Sequence, residues 1–267
     1  VAQRHRESGP HRQALSVAVV TGGSSGIGAA IARALAHRGW RLVLLARNEE
    51  PLSKLAAELA AEHEVCDVAD RDEVERVSAR IRERHPAIRL LVNNAGIPGG
   101  GGFLALGPEQ IEQLVETNYL GSVWCLRAFL PALEAGVPSD VVNITSVAAT
   151  IAAGHSGPYS ASKHAQLAFS RSVGVELAGT GITVHSINPG LIDTPGFPNR
   201  SRFGNRLLKH LVAEPELVAR RVVQAVERKR VEQFVPRWYR PAAIVQAAAP
   251  GLLARSARAL GARRKRK

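Results

Sequence analysis

The sequence predicts an α/β chain: a doubly wound, parallel sheet of about seven strands with helices on both faces, folded as a single domain. Three observations lead there. Short runs of Val, Ile and Leu alternate with segments of helical period from Ser16 to about Pro236. No internal repeat or Gly/Ser linker divides that stretch. A glycine-rich turn follows the first apolar run directly and opens the first helical pattern.

Each element has its own reason. Strands are expected at 17–20, 42–45, 64–66, 90–92, 140–144, 183–187 and 232–235. Most read as nearly continuous apolar runs, as strands covered on both faces must. Between them, 27–37, 52–61, 74–81 and 218–226 place apolar residues at i, i+3 and i+4, and 158–177 also reads as helix. Short strands alternating with helices call for right-handed βαβ crossovers. Residues 1–15 form a polar, basic arm, and 16–236 the single folded domain. Residues 237–267 are an Ala-rich, basic extension broken by Pro241, Pro250 and Gly251.

Composition narrows the field. Of 267 residues 45% are hydrophobic but only 4% aromatic, so the core is built mostly from Ala, Val, Leu and Ile. Cys66 and Cys125 stand far apart and outside any Cys-x-x-Cys pair, which argues against a disulfide framework or a cysteine zinc site and for buried thiols in a reducing compartment. No metal site is expected. The net charge of +12 gathers toward the ends, in Arg4, His5, Arg6 and Arg12, then Arg255, Arg258 and Arg263-Arg-Lys-Arg-Lys267. Such runs are solvated termini or phosphate-seeking tails. Residues 1–15 lack the apolar core of a secretory signal, and the absence of methionine leads to the expectation that residues precede Val1.

The turn Thr21-Gly-Gly-Ser-Ser-Gly-Ile-Gly28 carries chemistry because of where it stands. Between a strand and a helix, Gly22, Gly26 and Gly28 let backbone N–H groups approach a pyrophosphate at the helix N-terminus. A side chain at Gly26 would obstruct the phosphate, and one at Gly28 would push helix and strand apart. The next strand ends Ala46-Arg47-Asn48, without the acidic residue that holds a ribose 2′-hydroxyl. Arg47 can pair with a 2′-phosphate through its planar fork, so NADP(H) is preferred over NAD(H); the plainer reading is an arginine on a basic surface.

Tyr159 and Lys163, four apart on a predicted helix, project from one face. An ammonium beside a phenol stabilises the phenolate and lowers its pKa, making an acid–base pair. Ser146, just past the strand 140–144, can hydrogen-bond a substrate oxygen.

These residues, with Cys66-Asp67-Val68, Asn93-Asn-Ala-Gly96, Asn118, Asn143-Ile-Thr-Ser146 and Asn188-Pro-Gly-Leu-Ile-Asp-Thr194, make the chain resemble the short-chain dehydrogenase/reductases over about 17–236. The resemblance implies a Rossmann sheet and a catalytic set of Asn118, Ser146, Tyr159 and Lys163. Tyr159 would be the general acid in reduction and base in oxidation, Ser146 would orient the carbonyl, and Asn118 would support a proton-relay water. Lys163 would lower the Tyr159 pKa and hold the nicotinamide ribose. Cofactor contacts are implied for Gly22, Ser24, Ser25, Gly26, Ile27 and Gly28 in the turn, and for Arg47, Asp67 (at the adenine) and Val68. They extend to Asn94 (also steadying the central strand), Ala95, Gly96, Pro189, Gly190, Ile192 and Thr194 (at the carboxamide).

The resulting expectation is an NADP(H)-dependent oxidoreductase acting on a secondary alcohol/ketone or aldehyde, with a lipophilic small-molecule substrate. It would be cytoplasmic and homo-oligomeric, as a dimer or tetramer. The alternative is a dinucleotide-binding regulatory protein or membrane-surface scaffold without turnover. The resemblance makes 16–236 a dinucleotide-binding catalytic domain with a substrate lid at 195–212, where Phe197, Phe203, Leu207 and Leu208 offer an apolar lining and Arg200, Arg202, Arg206 and Lys209 an anion site, against a plain solvated loop. His155 is not assigned a catalytic part. For 237–267, an anionic-membrane anchor built on Ile244, Val245, Leu252, Leu253 and Leu260, a subunit contact and a disordered tail stand side by side. Nucleic acid is the least favoured partner, since no aromatics interleave the charge.

Overall fold

The computed structural model describes residues 16–152, 156–194 and 212–251. Seven strands, β1 (Val17–Thr21), β2 (Arg41–Ala46), β3 (Glu62–Val65), β4 (Leu90–Asn93), β5 (Ser139–Ile144), β6 (Ile182–Pro189) and β7 (Glu232–Val235), form one parallel sheet. Their order is β3-β2-β1-β4-β5-β6-β7, so the chain reverses direction across the sheet between β1 and β4. That reversal opens a crevice at the carboxyl ends of the strands, where ligands of open α/β sheets bind.

Helices α1 (Gly26–Ala36), α2 (Glu49–Leu59) and α7 (Pro215–Arg228) cover one face, burying Ala18, Val20, Leu42, Leu44, Val92 and Val142. Helices α3 (Arg71–Arg84), α5 (Gly121–Ala135) and α6 (Gly157–Glu176) cover the other, against Val19, Val43, Leu45, Leu91 and Val141. Alternate residues of β1 and β2 thus go to opposite cores, which is why neither strand carries a polar face. Asp70 caps α3 by accepting from the Glu73 N–H at 2.9 Å, and Asp72 and Glu73 at its start with Arg82 and Arg84 at its end complement the helix dipole.

Two stretches depart from the sequence expectation. The edge strand β3 begins at Glu62, earlier than predicted, because Glu62 and Glu64 are held by Arg84, Arg80 and His85 reaching over from α3 at 2.8–3.1 Å. Carboxylates satisfied from outside their own segment leave no strand signal. Residues 108–135 form α4 (Pro108–Val115), a π-turn (Glu116–Leu120) and α5, which the periodicity had not singled out. Gly121 and Pro131 read as breakers, and α5 is apolar around much of its girth, burying Leu126, Phe129 and Leu133. The Gly121 position also admits no side chain: a Cβ there would lie 2.7 Å from Val68. Past β7, helix α8 (Tyr239–Ala248) occupies the described part of the extension.

Candidate active site

The cleft at the β1/β4 reversal has a volume of about 720 Å³, within the roughly 300–1,000 Å³ usual for small-molecule sites. Its floor is the glycine turn. Ser25 takes extended backbone at the start of α1 and makes no side-chain cap bond, so the first N–H groups of the helix are left for a ligand. Asn94 ties the turn to β4: its amide nitrogen donates to the carbonyls of Thr21 at 3.0 Å and Gly22 at 3.1 Å. The Thr21 hydroxyl in turn accepts the N–H groups of Asn94 and Ala95, each at 3.0 Å. Gly28 does not line the cleft but stands behind it. A Cβ there would sit 2.1 Å from the Gly22 carbonyl oxygen and 2.5 Å from Asn94 Nδ2, forcing helix and turn apart.

Gly22, Ser24, Ser25, Gly26 and Ile27 line the phosphate end of this cleft, and Asn94, Ala95 and Gly96 continue it along β4. Arg47, Asp67 and Val68 line it at the ends of β2 and β3. There Arg47 Nη1 lies 3.7 Å from Asp67 Oδ2, while Asp67 Oδ1 accepts the Ala69 N–H at 3.0 Å. The Arg47 side chain is 52% exposed, so its guanidinium stays open to a further anion. Pro189, Gly190, Ile192 and Thr194 form the opposite wall beyond β6.

Ser146, Tyr159 and Lys163 line the same cleft. Ser146 follows β5 and accepts the Ala148 N–H at 3.1 Å, capping a short 3-10 turn (Val147–Ala149), and its hydroxyl shares a hydrogen bond with the Tyr159 phenol. Burial raises the phenol pKa, and the Ser146 bond lowers it. Lys163 is only 4% exposed, and desolvation pushes its ammonium down to about 7. Its Nζ donates to the Ile144 carbonyl at 3.1 Å and to Gln166 Oε1 at 2.9 Å. The lowering of the phenol by the ammonium, expected from sequence, is not among the influences on Tyr159. Burial drives both groups toward their neutral forms, and two donors of the ammonium already point at other oxygens.

Asn118, placed by the π-turn, is wholly buried and lies outside the cleft lining. Its Oδ1 accepts the Ile97 N–H at 2.8 Å, and its Nδ2 donates to the Ile97 carbonyl and to Ser162 Oγ. The side chain is fully used in holding the loop after β4 against α6. That loop, Ile97 to Gly101, lines the cleft and was not among the predicted site residues. It lies so close over Tyr159 that a Cβ on Gly99 would come within 2.6 Å of the tyrosine Cβ. The glycine run directly after Asn93-Asn-Ala-Gly96 was the signal available for it. Cys66 also lines the cleft, with burial raising its thiol to about 12, which makes it inert.

Helix α8 reaches the site as well. The Tyr239 ring rests on Gly190, where a Cβ would be 2.0 Å from Cε2, and its hydroxyl bonds the Leu191 backbone. Trp238 stacks on that ring at 3.7 Å. The lid residues 195–211, His155, the arm 1–15 and the basic tail 252–267 lie outside the described residues. Among the described residues, no group of three or more His, Cys, Asp and Glu is placed to hold a metal ion, and no helix is long and apolar enough to cross a membrane.

The family model for short chain dehydrogenases matches residues 16–203. Over 187 residues the chain is 42% identical to a putative ketoacyl reductase of Streptomyces coelicolor, spanning 67% of this chain and 71% of that one. A solved actinorhodin polyketide ketoreductase variant with NADPH shares 36% identity and a TM-score of 0.73, covering 80% of this chain and 91% of its own. An alcohol dehydrogenase from the archaeon Thermococcus sibiricus, complexed with 5-hydroxy-NADP, gives 30% and 0.73, covering 82% and 95%. Fold and relatives together define an oxidoreductase that works on carbonyl or alcohol groups with a nicotinamide cofactor. The chain belongs to the short-chain dehydrogenase/reductase family.

Proposed function

We propose that this chain catalyses NADP(H)-dependent reduction of a ketone or aldehyde, or the reverse oxidation of the alcohol, on a lipophilic small molecule. The observation that carries the reading is the Ser146–Tyr159 hydrogen bond, in one cleft with Lys163 and the uncapped start of α1. The glycine floor, the free N–H groups of α1 and the open Arg47 fork fit a phosphorylated dinucleotide, which when bound supplies or accepts the hydride. Arg47 would take the 2′-phosphate and Asp67 the adenine. The relatives named for ketoacyl and polyketide substrates support a ketone.

In reduction, the Tyr159 hydroxyl donates its proton to the substrate oxygen while the Ser146 hydroxyl holds that oxygen in place. Lys163, which lines the cleft beside them, would hold the nicotinamide ribose through the donor left over by Ile144 and Gln166. Asn118 keeps the loop after β4 in register so that Gly96 stays close to Lys163; a Cβ on Gly96 would lie 3.0 Å from Asn118 Oδ1 and 3.5 Å from Lys163 Nζ. A dimer or tetramer belongs to the same reading, supported by Val175 and Val231, 78% and 60% exposed along one groove between α6 and β7. So does a cytoplasmic setting, supported by two free, buried thiols.

Tyr159→Phe tests the assignment. Turnover of NADPH with 2-decanone should fall by about 10³-fold or more, from loss of acid–base catalysis together with the oxyanion contact. NADPH binding, read by fluorescence, should persist. Near-normal turnover in the variant would remove Tyr159 from the mechanism.

A further inference from the structure

We propose that Gln166 is a positioning residue for Lys163, fixing the direction of the ammonium and holding it in its charged form at the cofactor cleft. The inference rests on the part given to Lys163 above, but the geometry is separate from it. Gln166 is completely buried, one helical turn beyond Lys163 on α6. An ammonium has three donors and no acceptor. Two of the three are spent, on the Ile144 carbonyl at 3.1 Å and on Gln166 Oε1 at 2.9 Å. The third is left for the cleft that Lys163 lines.

The orientation of Gln166 is itself determined. Because an ammonium can only donate, the amide oxygen faces it, and the amide nitrogen then points to Ser122 Oγ, 2.8 Å away on α5. Ser122 is 4% exposed, so this anchor is as dry as the lysine it serves. The chain of contacts therefore runs from α5 through Gln166 to Nζ, in a place where water cannot substitute.

The groups facing Lys163 leave few others to hold its charge. From β5 comes the Ile144 carbonyl, from the loop after β4 the backbone at Gly96, and from its own helix Gln166. None of these described neighbours is a carboxylate or a second cation, and no charged group acts on the ammonium. Desolvation alone sets the low ammonium value, and Gln166 opposes it by accepting one of the three N–H groups. Without that acceptor the ammonium loses ground to the neutral amine.

The test follows the Lys163 titration directly, by the 13Cε resonance in lysine-labelled protein, assigned by its loss in Lys163→Ala. Gln166→Met keeps the length and volume but removes the acceptor, and should lower the Lys163 midpoint by about one pH unit, a tenfold change in the ammonium equilibrium. Gln166→Glu puts a charged acceptor in the same place and should raise it. Opposite displacements by two side chains of similar size are what positioning demands; a mere packing role would lower the melting temperature of both and leave the midpoint alone. Unchanged midpoints, or a shift of the same sign in both, would overturn the proposal, and the Glu variant decides alone if the Met variant fails to fold. The wider reading is judged separately, by wild-type turnover of 2-decanone with NADPH. Absence of turnover beside displaced midpoints would refute reduction of a simple lipophilic ketone and leave Gln166 in its place.

Discussion

A lysine at 4% exposure should cost this fold stability, and the cost should have a pH signature. In the unfolded chain Lys163 titrates near 10.5, whereas burial brings it to about 7 in the folded protein. Between those values the unfolded state binds more protons, so stability rises with pH across the window, and below it the full penalty applies. At about pH 7 the penalty amounts to about 4 kcal/mol, shrinking to about 2 kcal/mol at about pH 9. Lys163→Met removes the titration altogether. It also leaves the Ile144 carbonyl and Gln166 Oε1 without their donor, a cost of about 1–3 kcal/mol for each that does not depend on pH. The net stability of the variant at neutral pH is therefore a balance, but the slope is not. Urea unfolding of cofactor-free protein at several pH values should show wild type gaining about 2 kcal/mol on the variant between about pH 7 and 9. Parallel profiles would mean that Lys163 is not a desolvated ammonium, and the reasoning about its charge would fail with it.

Other perturbations probe the cofactor end and the framework. Arg47→Asp should weaken NADPH by about 10–100-fold, the worth of a charge-assisted contact, and NADH by much less; equal losses in titration calorimetry would discredit the 2′-phosphate role. Gly190→Ala would drive a methyl against the Tyr239 ring and should cost about 1–3 kcal/mol of stability together with NADPH affinity. Adding Tyr239→Ala should restore much of that affinity, whereas a silent single variant would show that α8 does not brace the cleft. Asp140 is 7% exposed and takes Lys229 at 2.7 Å and His185 at 2.8 Å. Asp140→Ala should lower unfolding stability by about 3 kcal/mol, chiefly by leaving the fully buried His185 without its partner, and a loss below about 1 kcal/mol would mark the cluster as solvated.

How much of this was legible in advance depends on how local each signal is. The central strands β1, β2 and β4 stood out because a strand with helices on both faces is almost wholly apolar, a property of consecutive residues. The glycine turn and the Tyr159/Lys163 pair were legible for the same reason, being short-range patterns on a turn and on one helix. Strand β3 was misjudged at its start because Glu62 and Glu64 owe their place in a strand to arginines on α3. Helix α5 escaped notice because it is packed around much of its circumference and carries Gly121 and Pro131. Asn118 was recognisable as a site residue, yet the engagement of its amide with Ile97 and Ser162 was not.

What the sequence by itself determined was the order of the elements, the parallel sheet they must form, and the presence of a phenol, an amine and a hydroxyl suited to acid–base work. Tertiary structure alone decided which oxygens receive the Lys163 donors, how far burial depresses that lysine, and that Tyr239 of α8 closes over Gly190. The physical reason is distance along the chain. Periodicity and turn chemistry are written in neighbouring residues, whereas a buried hydrogen bond such as Gln166 to Ser122 joins residues 44 positions apart. Such contacts come into being only when the sheet brings α5 and α6 side by side.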